Sequence, residues 1–232
     1  DEGKKVLLLD DHPEIGGHSL HSLSIIQNSP FPELEGMAEH EGIRKIAADL
    51  QNTSNLEIMS DATVFGVYED NLVAAQWGND LMKIRADRVI LATGASDRHL
   101  VFDNNDRPGI MTSRGVERLI MIHGISPANE AVVVTSHDGG YHTALLLHGA
   151  GVKLKAVVDS RSSGTQGPFE EQMKNLDVPV YRNMTAHRAH GRKKLQRVDI
   201  GPVLGGEATQ SFDCDLLVTA VGLMPRLSLL SM

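Results

Sequence analysis

The residues best suited to chemistry in this sequence are acids and glycines at the ends of apolar runs. The run Lys5-Val6-Leu7-Leu8-Leu9 ends on Asp10 and Asp11, and Gly16-Gly17 follows. An acid at a strand end can accept hydrogen bonds from ribose hydroxyls, and glycines let a backbone approach a nucleotide closely. A second run, 88–92, leads into Ala92-Thr93-Gly94-Ala95. A third, Val132-Val133-Val134, leads into Thr135-Ser136-His137-Asp138-Gly139-Gly140, and Asp159 stands 24 residues after Thr135. A dinucleotide fingerprint would place glycine at 135, 137 and 140, with an acid about 20 residues further on. Only Gly140, at the position that permits close helix–strand packing, is glycine. The glycines for the tight turn and for the approach to pyrophosphate are replaced. The expectation is a Rossmann-like unit that does not grip a dinucleotide in the ordinary way, the alternative being that a partner's cofactor still packs against it.

Other chemistries find little support. His137 and His142 lack a third ligand at metal spacing, so no metal site is assigned. There is no G-x-S-x-G elbow, HExxH or P-loop. Arg182, His187, Arg188, His190, Arg192, Lys193, Lys194 and Arg197 form a basic patch in an acidic chain, expected to be an exposed hairpin face, with anion or partner docking as the lesser alternative. Cys214 adjoins an apolar run and reads as a small core residue, and Met111, Met121, Met173 and Met224 read as gap fillers. No catalytic residue is assigned.

The elements that must position these residues can be read from periodicity. Residues 5–10 suit a strand buried on both faces of a parallel sheet, and 33–50 an amphipathic helix with Ile43, Ile46, Ala47 and Leu50 on one side. Residues 56–77 and 81–85, broken at Glu69-Asp70-Asn71 and Gly78-Asn79, read as a three-stranded antiparallel meander. Residues 88–92 read as another buried strand. After the turn cluster Asn104-Asn105-Asp106-Arg107-Pro108-Gly109 come a helix over 112–123, a strand over 131–134, a helix over 140–148 and a strand over 152–158. A short helix over 168–176, a strand over 178–181, a hairpin over 185–200 around Gly191, and a last strand over 216–221 complete the prediction.

Composition narrows the function class. The chain has 232 residues, 41% hydrophobic and 22% charged, with net charge −8. That is a globular composition and argues against a general nucleic-acid binder, whose footprint is basic. No apolar run approaches the roughly 18 residues needed to cross a bilayer, and no signal-peptide pattern is present, so no membrane role is expected. One cysteine excludes an internal disulfide framework and a CxxC redox pair, and points to a reducing, cytoplasmic compartment.

The order KVLLLDDHPEIGG, meander, VILATGA, strand–helix–strand unit and DLLVTAVGLMP resembles the two-dinucleotide-binding-domain flavoprotein family. Within it, Asn105-Asp106-Arg107-Pro108-Gly109-Ile110-Met111, Thr135 to Asp138 with Tyr141-His142-Thr143-Ala144, and Val157-Val158-Asp159-Ser160-Arg161 are similar to alpha subunits of heterotetrameric sarcosine oxidases. Related alpha-type subunits belong to proline dehydrogenase complexes, cyanide synthases and opine oxidases. The resemblance implies a Rossmann-like α/β fold in which an outer nucleotide-binding domain (1–102, returning at 209–232) is interrupted by an inserted Rossmann-like domain (103–208). It implies NAD or FAD in the outer domain, amine oxidation at a flavin on a beta-type partner subunit, and FMN near the interface. Carried over by position, Asp10 and Asp11 meet the adenosine ribose, and Gly16 and Gly17 line the nucleotide. Val64 meets adenine, Ala92, Thr93 and Gly94 lie by the phosphate–ribose region, and Gly222 completes the set. The strand and GxGxxG turn before Lys5, and the Gly-Asp segment after Gly222, are not in the sequence, so the chain reads as a fragment of a larger subunit. The SGGWNP-like stretch of relatives reads Thr219-Ala220-Val221-Gly222-Leu223-Met224-Pro225. The competing readings are a non-catalytic scaffold with decayed nucleotide sites and a free-standing NAD(P)H–flavin reductase.

Overall fold

The computed structural model describes residues 3–163 and 169–231. They form two compact units, Asp1–Ser96 with Pro225–Met232, and Asp97–Met224.

In the first unit, strand β1 (Val6–Leu9) runs parallel to β2 (Leu56–Met59), with Val6 opposite Leu56 and Leu9 opposite Met59. The expectation that this run is buried on both faces is corrected: among the described residues β1 has a single ladder neighbour, and Val6 is 51% exposed. Helix α1 (Glu39–Gln51) starts later than expected. Pro32–Leu34 makes a 3-10 turn, and Gly36 follows with φ +78, which no regular helix accommodates. The meander forms from β3 (Ala62–Tyr68), β4 (Leu72–Trp77) and β5 (Asp80–Arg85), but it starts at Ala62 rather than at residue 56, because Leu56–Met59 pairs with β1 instead. Ala62 opposes Trp77 and Leu72 opposes Arg85, while the two turns use Asp70 and Asn71, and Gly78, at positive φ. The run 88–92 is not a strand, and Ile90 is 90% exposed. Among the described residues no strand pairs with it, and an extended run without ladder partners leaves its backbone polar groups to water. The short strand β6 (Ala95–Asp97) carries the chain into the second unit.

The second unit is built on a five-stranded parallel sheet. Its strands are β7 (Ile110–Thr112), β8 (Glu130–Thr135), β9 (Lys153–Asp159), β10 (Val180–Arg182) and β14 (Leu216–Ala220), in the order β10-β9-β8-β14-β7. One face is covered by α2 (Ser113–Met121), α3 (Gly139–Gly149) and α4 (Phe169–Asn175), which place Val116, Tyr141, Leu147 and Met173 against Val133, Val157 and Val218. The other is covered by the antiparallel strands β11 (Met184–His190), β12 (Arg197–Pro202) and β13 (Gln210–Asp213), whose Ala189, Val198 and Ile200 meet Val132, Val134 and Val158. Burial on both faces explains why β8 reads as an unbroken apolar run. At about 25 cal/mol per Å² of apolar surface, each such valine contributes roughly 1.5–3 kcal/mol.

Two features depart from the sequence prediction. The strand expected to return to the outer domain, β14, lies between β8 and β7 of the second unit, with Leu217 opposite both Val132 and Ile110. Its five residues are all buried, and only a central position in a doubly covered sheet buries both faces. The other departure is β7 and β13, too short or too polar to show as strands in the sequence. Pro168, predicted inside the short helix, lies outside the described residues. After β14, the strand β15 (Leu223–Pro225) takes the chain back to the first unit.

Candidate functional site

In the first unit, the end of β1 makes a compact acidic turn. The Asp10 carbonyl accepts the Ala62 N–H (2.9 Å) and its own N–H reaches the Met59 carbonyl (3.1 Å), so the backbone is locked to the next strand. Its carboxylate Oδ1 accepts the His12 N–H at 2.9 Å, while the His12 ring turns to Asp11 at 2.7 Å. The Asp10 side chain remains 20% exposed and that of Asp11 51% exposed, leaving both open to a further donor. Gly16 (φ +128) is required locally, because a Cβ there would stand 2.6 Å from Ile43 Cγ1. Gly17 and Gly94 differ: each has positive φ, and a Cβ on either would meet nothing within 4 Å. Thr93 Oγ1 donates to the Arg226 carbonyl (2.7 Å), and Arg226 N–H returns a bond to the Gly94 carbonyl (3.0 Å). Val64 sits half-buried in β3 beside its bulge, and Ala92 is exposed. Gly222 belongs to the second unit, where its carbonyl accepts the Arg98 N–H. An accessible ribose-type acid and two open glycines are compatible with an adenine nucleotide.

The second unit holds the strand–turn–helix in which the glycines are replaced, and the replacements close it. Thr135, fully buried, donates through Oγ1 to the His137 carbonyl at 2.6 Å, lies 3.1 Å from the Ala220 carbonyl, and accepts the His137 N–H at 3.2 Å. His137 Nδ1 accepts the Gly139 N–H at 3.1 Å, and the Gly140 N–H goes to the His137 carbonyl. The donors that a phosphate would use at this helix N-terminus are therefore bound to the protein itself. Gly140 keeps its packing role: a Cβ there would stand 2.3 Å from Thr135 Oγ1.

Asp159, the acid at the ribose position, is sealed as well. It is 0% exposed, accepts the Tyr141 O–H at 3.0 Å and the Arg161 N–H at 2.9 Å, and is forked by Arg161 Nε (3.0 Å) and Nη2 (2.8 Å). The same Nη2 reaches Asp138 at 2.8 Å. Burial works against ionisation of Asp159, but the Arg161 and Tyr141 bonds outweigh it and hold the carboxyl below its ordinary range. Burial, reinforced by the Asp159 charge, pushes the Tyr141 phenol well up. Burial and the Arg161 charge push His137 down, which keeps Nδ1 free to accept. The residues present do not fit a dinucleotide in this turn.

Three residues of the basic patch pair with acids: Arg188 with Asp103 and His190 with Asp199, each at 2.6 Å, and Arg182 with Glu170. Cys214 is buried, its thiol pushed up to about 12 by burial and the adjacent acids. Among the described residues no helix is long and apolar enough to cross a membrane.

A doubly covered parallel sheet, with a strand–turn–helix unit whose second strand ends on an acid, defines the dinucleotide-binding class of α/β proteins. The chain belongs to the pyridine nucleotide-disulphide oxidoreductase family, which it matches over residues 2–231. That membership makes it an oxidoreductase chain on a FAD- and NAD-binding fold. It is 28% identical to the sarcosine oxidase alpha subunit of Corynebacterium sp. (strain P-1), across 96% of the chain but 24% of that subunit. It is 31% identical to that of Rhizobium meliloti (strain 1021), across 68% of the chain and 17% of the subunit. The chain thus spans a quarter or less of these relatives. In fold it is similar to L-proline dehydrogenase from P. horikoshii (TM-score 0.71, 20% identity, 96% of this chain and 38% of that one). T. acidophilum thioredoxin reductase superposes equally well (TM-score 0.72, 18% identity, 97% and 71%).

Proposed function

We propose that this chain is the nucleotide-binding part of an alpha-type subunit in a multi-subunit, flavin-dependent amine oxidase or dehydrogenase of the sarcosine oxidase kind. Its first unit binds one adenine dinucleotide, NAD or FAD. Asp10 takes the ribose hydroxyls and Asp11 lies alongside. Gly16, Gly17, Ala92, Thr93 and Gly94 give room for the backbone to approach, and Val64 lies against adenine. Oxidation of the amine takes place at a flavin on a beta-type partner, and the chain supports electron transfer or assembly, with FMN at the subunit interface. The observation that carries the reading is the contrast between two strand-end acids, Asp10 accessible and Asp159 fully consumed by its neighbours.

Nucleotide released from the full-length complex tests it. We expect close to one adenine dinucleotide per chain, and less in Asp10→Ala. A folded full-length complex that carries none overturns the reading. A second reading, a scaffold role for the second unit, is favoured by the closed turn at Thr135 and His137. On that reading Thr135→Gly with His137→Gly leaves both nucleotide content and complex activity unchanged. A diaphorase assay on the complete protein separates both from a free-standing NAD(P)H–flavin reductase.

A further inference from the structure

A cavity of about 320 Å³ lies within the second unit, at the carboxyl ends of β7 and β14, where Thr112 and Thr219 stand opposite each other in the ladder. Open parallel sheets bind ligands outside the carboxyl ends of their strands, and this volume is at the small end of ligand sites. The cavity is also lined by His99, Asn105, Asp106 and Arg107, with apolar side chains between them.

Most of the turn that supplies these residues has a structural task. Asn104, at φ +63, sends its amide to the Ala189 carbonyl, and Asn105 sends its amide to the Leu100 carbonyl. The carbonyls of Pro108 and Gly109 accept the N–H groups of Leu195 and Leu217, and a Cβ on Gly109 would stand 2.7 Å from the Asp215 carbonyl. The side chain of Arg107 has no such task. Its Nε is buried and has no hydrogen-bond partner among the described residues. Asp106 beside it is exposed and forms no ion pair with it. A guanidinium N–H taken from water without an acceptor is costly, and its planar fork matches an oxyanion.

The geometry points to a binding site for a small monocarboxylate, whose carboxylate is held by Arg107 with the hydroxyl of Thr112 as a neutral donor, that of Thr219 being directed to the Met111 carbonyl at 3.5 Å. Arg107 brings one cation and Asp106 one acid to the cavity lining, so a singly charged ligand is matched better than a dianionic phosphate.

The test is calorimetric titration of the full-length complex with propionate and, separately, with inorganic phosphate. Saturable propionate binding is expected, at least ten-fold weaker in Arg107→Gln and several-fold weaker in Thr112→Val, with phosphate weaker than propionate in the parent. If Arg107→Gln fails to fold, Arg107→Lys keeps the charge without the fork and is expected to fold and bind propionate at least three-fold more weakly. No saturable propionate binding to the folded complex overturns the assignment. So does unchanged affinity in a folded Arg107 variant, or tighter binding of phosphate than of propionate.

Discussion

Replacing Arg161 by methionine isolates what the guanidinium does for the second unit. The substitution keeps most of the aliphatic stem but removes three of the bonds to Asp159, from Nε to both oxygens and from Nη2. The backbone N–H of residue 161 and the Tyr141 hydroxyl remain on the carboxylate. Breaking a buried ion pair by removing one partner typically costs about 3–5 kcal/mol. Two retained bonds and the 25% exposure of the Arg161 side chain bring the expectation down to roughly 2–3 kcal/mol at neutral pH. The pH dependence follows from the carboxyl being held below its unfolded value of 3.8: the Arg161 contribution is fully present above that value and is lost as pH falls through the lower folded one. In Arg161→Met the folded carboxyl rises instead, so the deficit against the parent narrows as the medium is acidified. The sole tryptophan, Trp77, is in the first unit, so amide hydrogen exchange of β8 and β9 is the appropriate assay. Adding Asp159→Asn should recover about half of the loss, because the uncompensated charge is gone. A change under about 0.5 kcal/mol in Arg161→Met, or no recovery in the double variant, would refute the claim that this network holds the turn closed.

Three further outcomes are expected. Gly140→Ala drives a methyl into Thr135 Oγ1 and Cβ and should cost about 1–3 kcal/mol in the same exchange assay, with much of it recovered by adding Thr135→Gly. His137 should stay neutral at pH 7 by NMR titration. Because its folded value is depressed below 6.5, its contribution to stability is present above 6.5 and fades as pH falls towards that lower value. Cys214, buried with its thiol pushed up to about 12, should react with a thiol reagent at pH 8 only after unfolding, and stoichiometric labelling of the native protein would contradict the packing described.

What the sequence could reveal depended on whether a signal was local. The β8–α3–β9 unit was legible because its apolar run and its helix-ending Gly149 and Gly151 are local, and each predicted boundary lies within one residue of the observed one. The meander was legible for the same reason, through turns at Asp70, Asn71 and Gly78 that need positive φ. The run 88–92 misled because burial of a strand is decided by neighbours, and periodicity does not say whether a ladder partner exists. The strand β14 was recognised as apolar, yet its position between β8 and β7 is a long-range fact that no local pattern contains. The closure of the second nucleotide turn was only half legible. Missing glycines showed that the turn had changed, but nothing in the spacing said that Thr135 and His137 would satisfy its donors. The one signal available was Arg161 two residues after Asp159. The Arg107 cavity was less legible still, since its turn reads simply as a dense cluster of turn formers.

The two strand-end acids show how little sequence separates an open site from a closed one. Asp10 and Asp159 each end a parallel strand, and each accepts, at 2.9 Å, the N–H of the residue two positions on. Up to that point the local structures match. They diverge at the side chain in that second position. Arg161 is permanently charged and long enough to fold back on Asp159 with a two-pronged grip, then to tie the Asp138 carboxylate with the same nitrogen. His12 has a shorter ring, and it turns to the neighbouring Asp11 at 2.7 Å, standing 3.6 Å from Asp10. A ribose hydroxyl is a neutral donor, and it cannot displace a bidentate guanidinium from a buried carboxylate, because charge-assisted bonds are roughly twice as strong as neutral ones. It meets no such competitor at Asp10. The basic residue two places after the acid therefore separates the sealed strand end at Asp159 from the open one at Asp10.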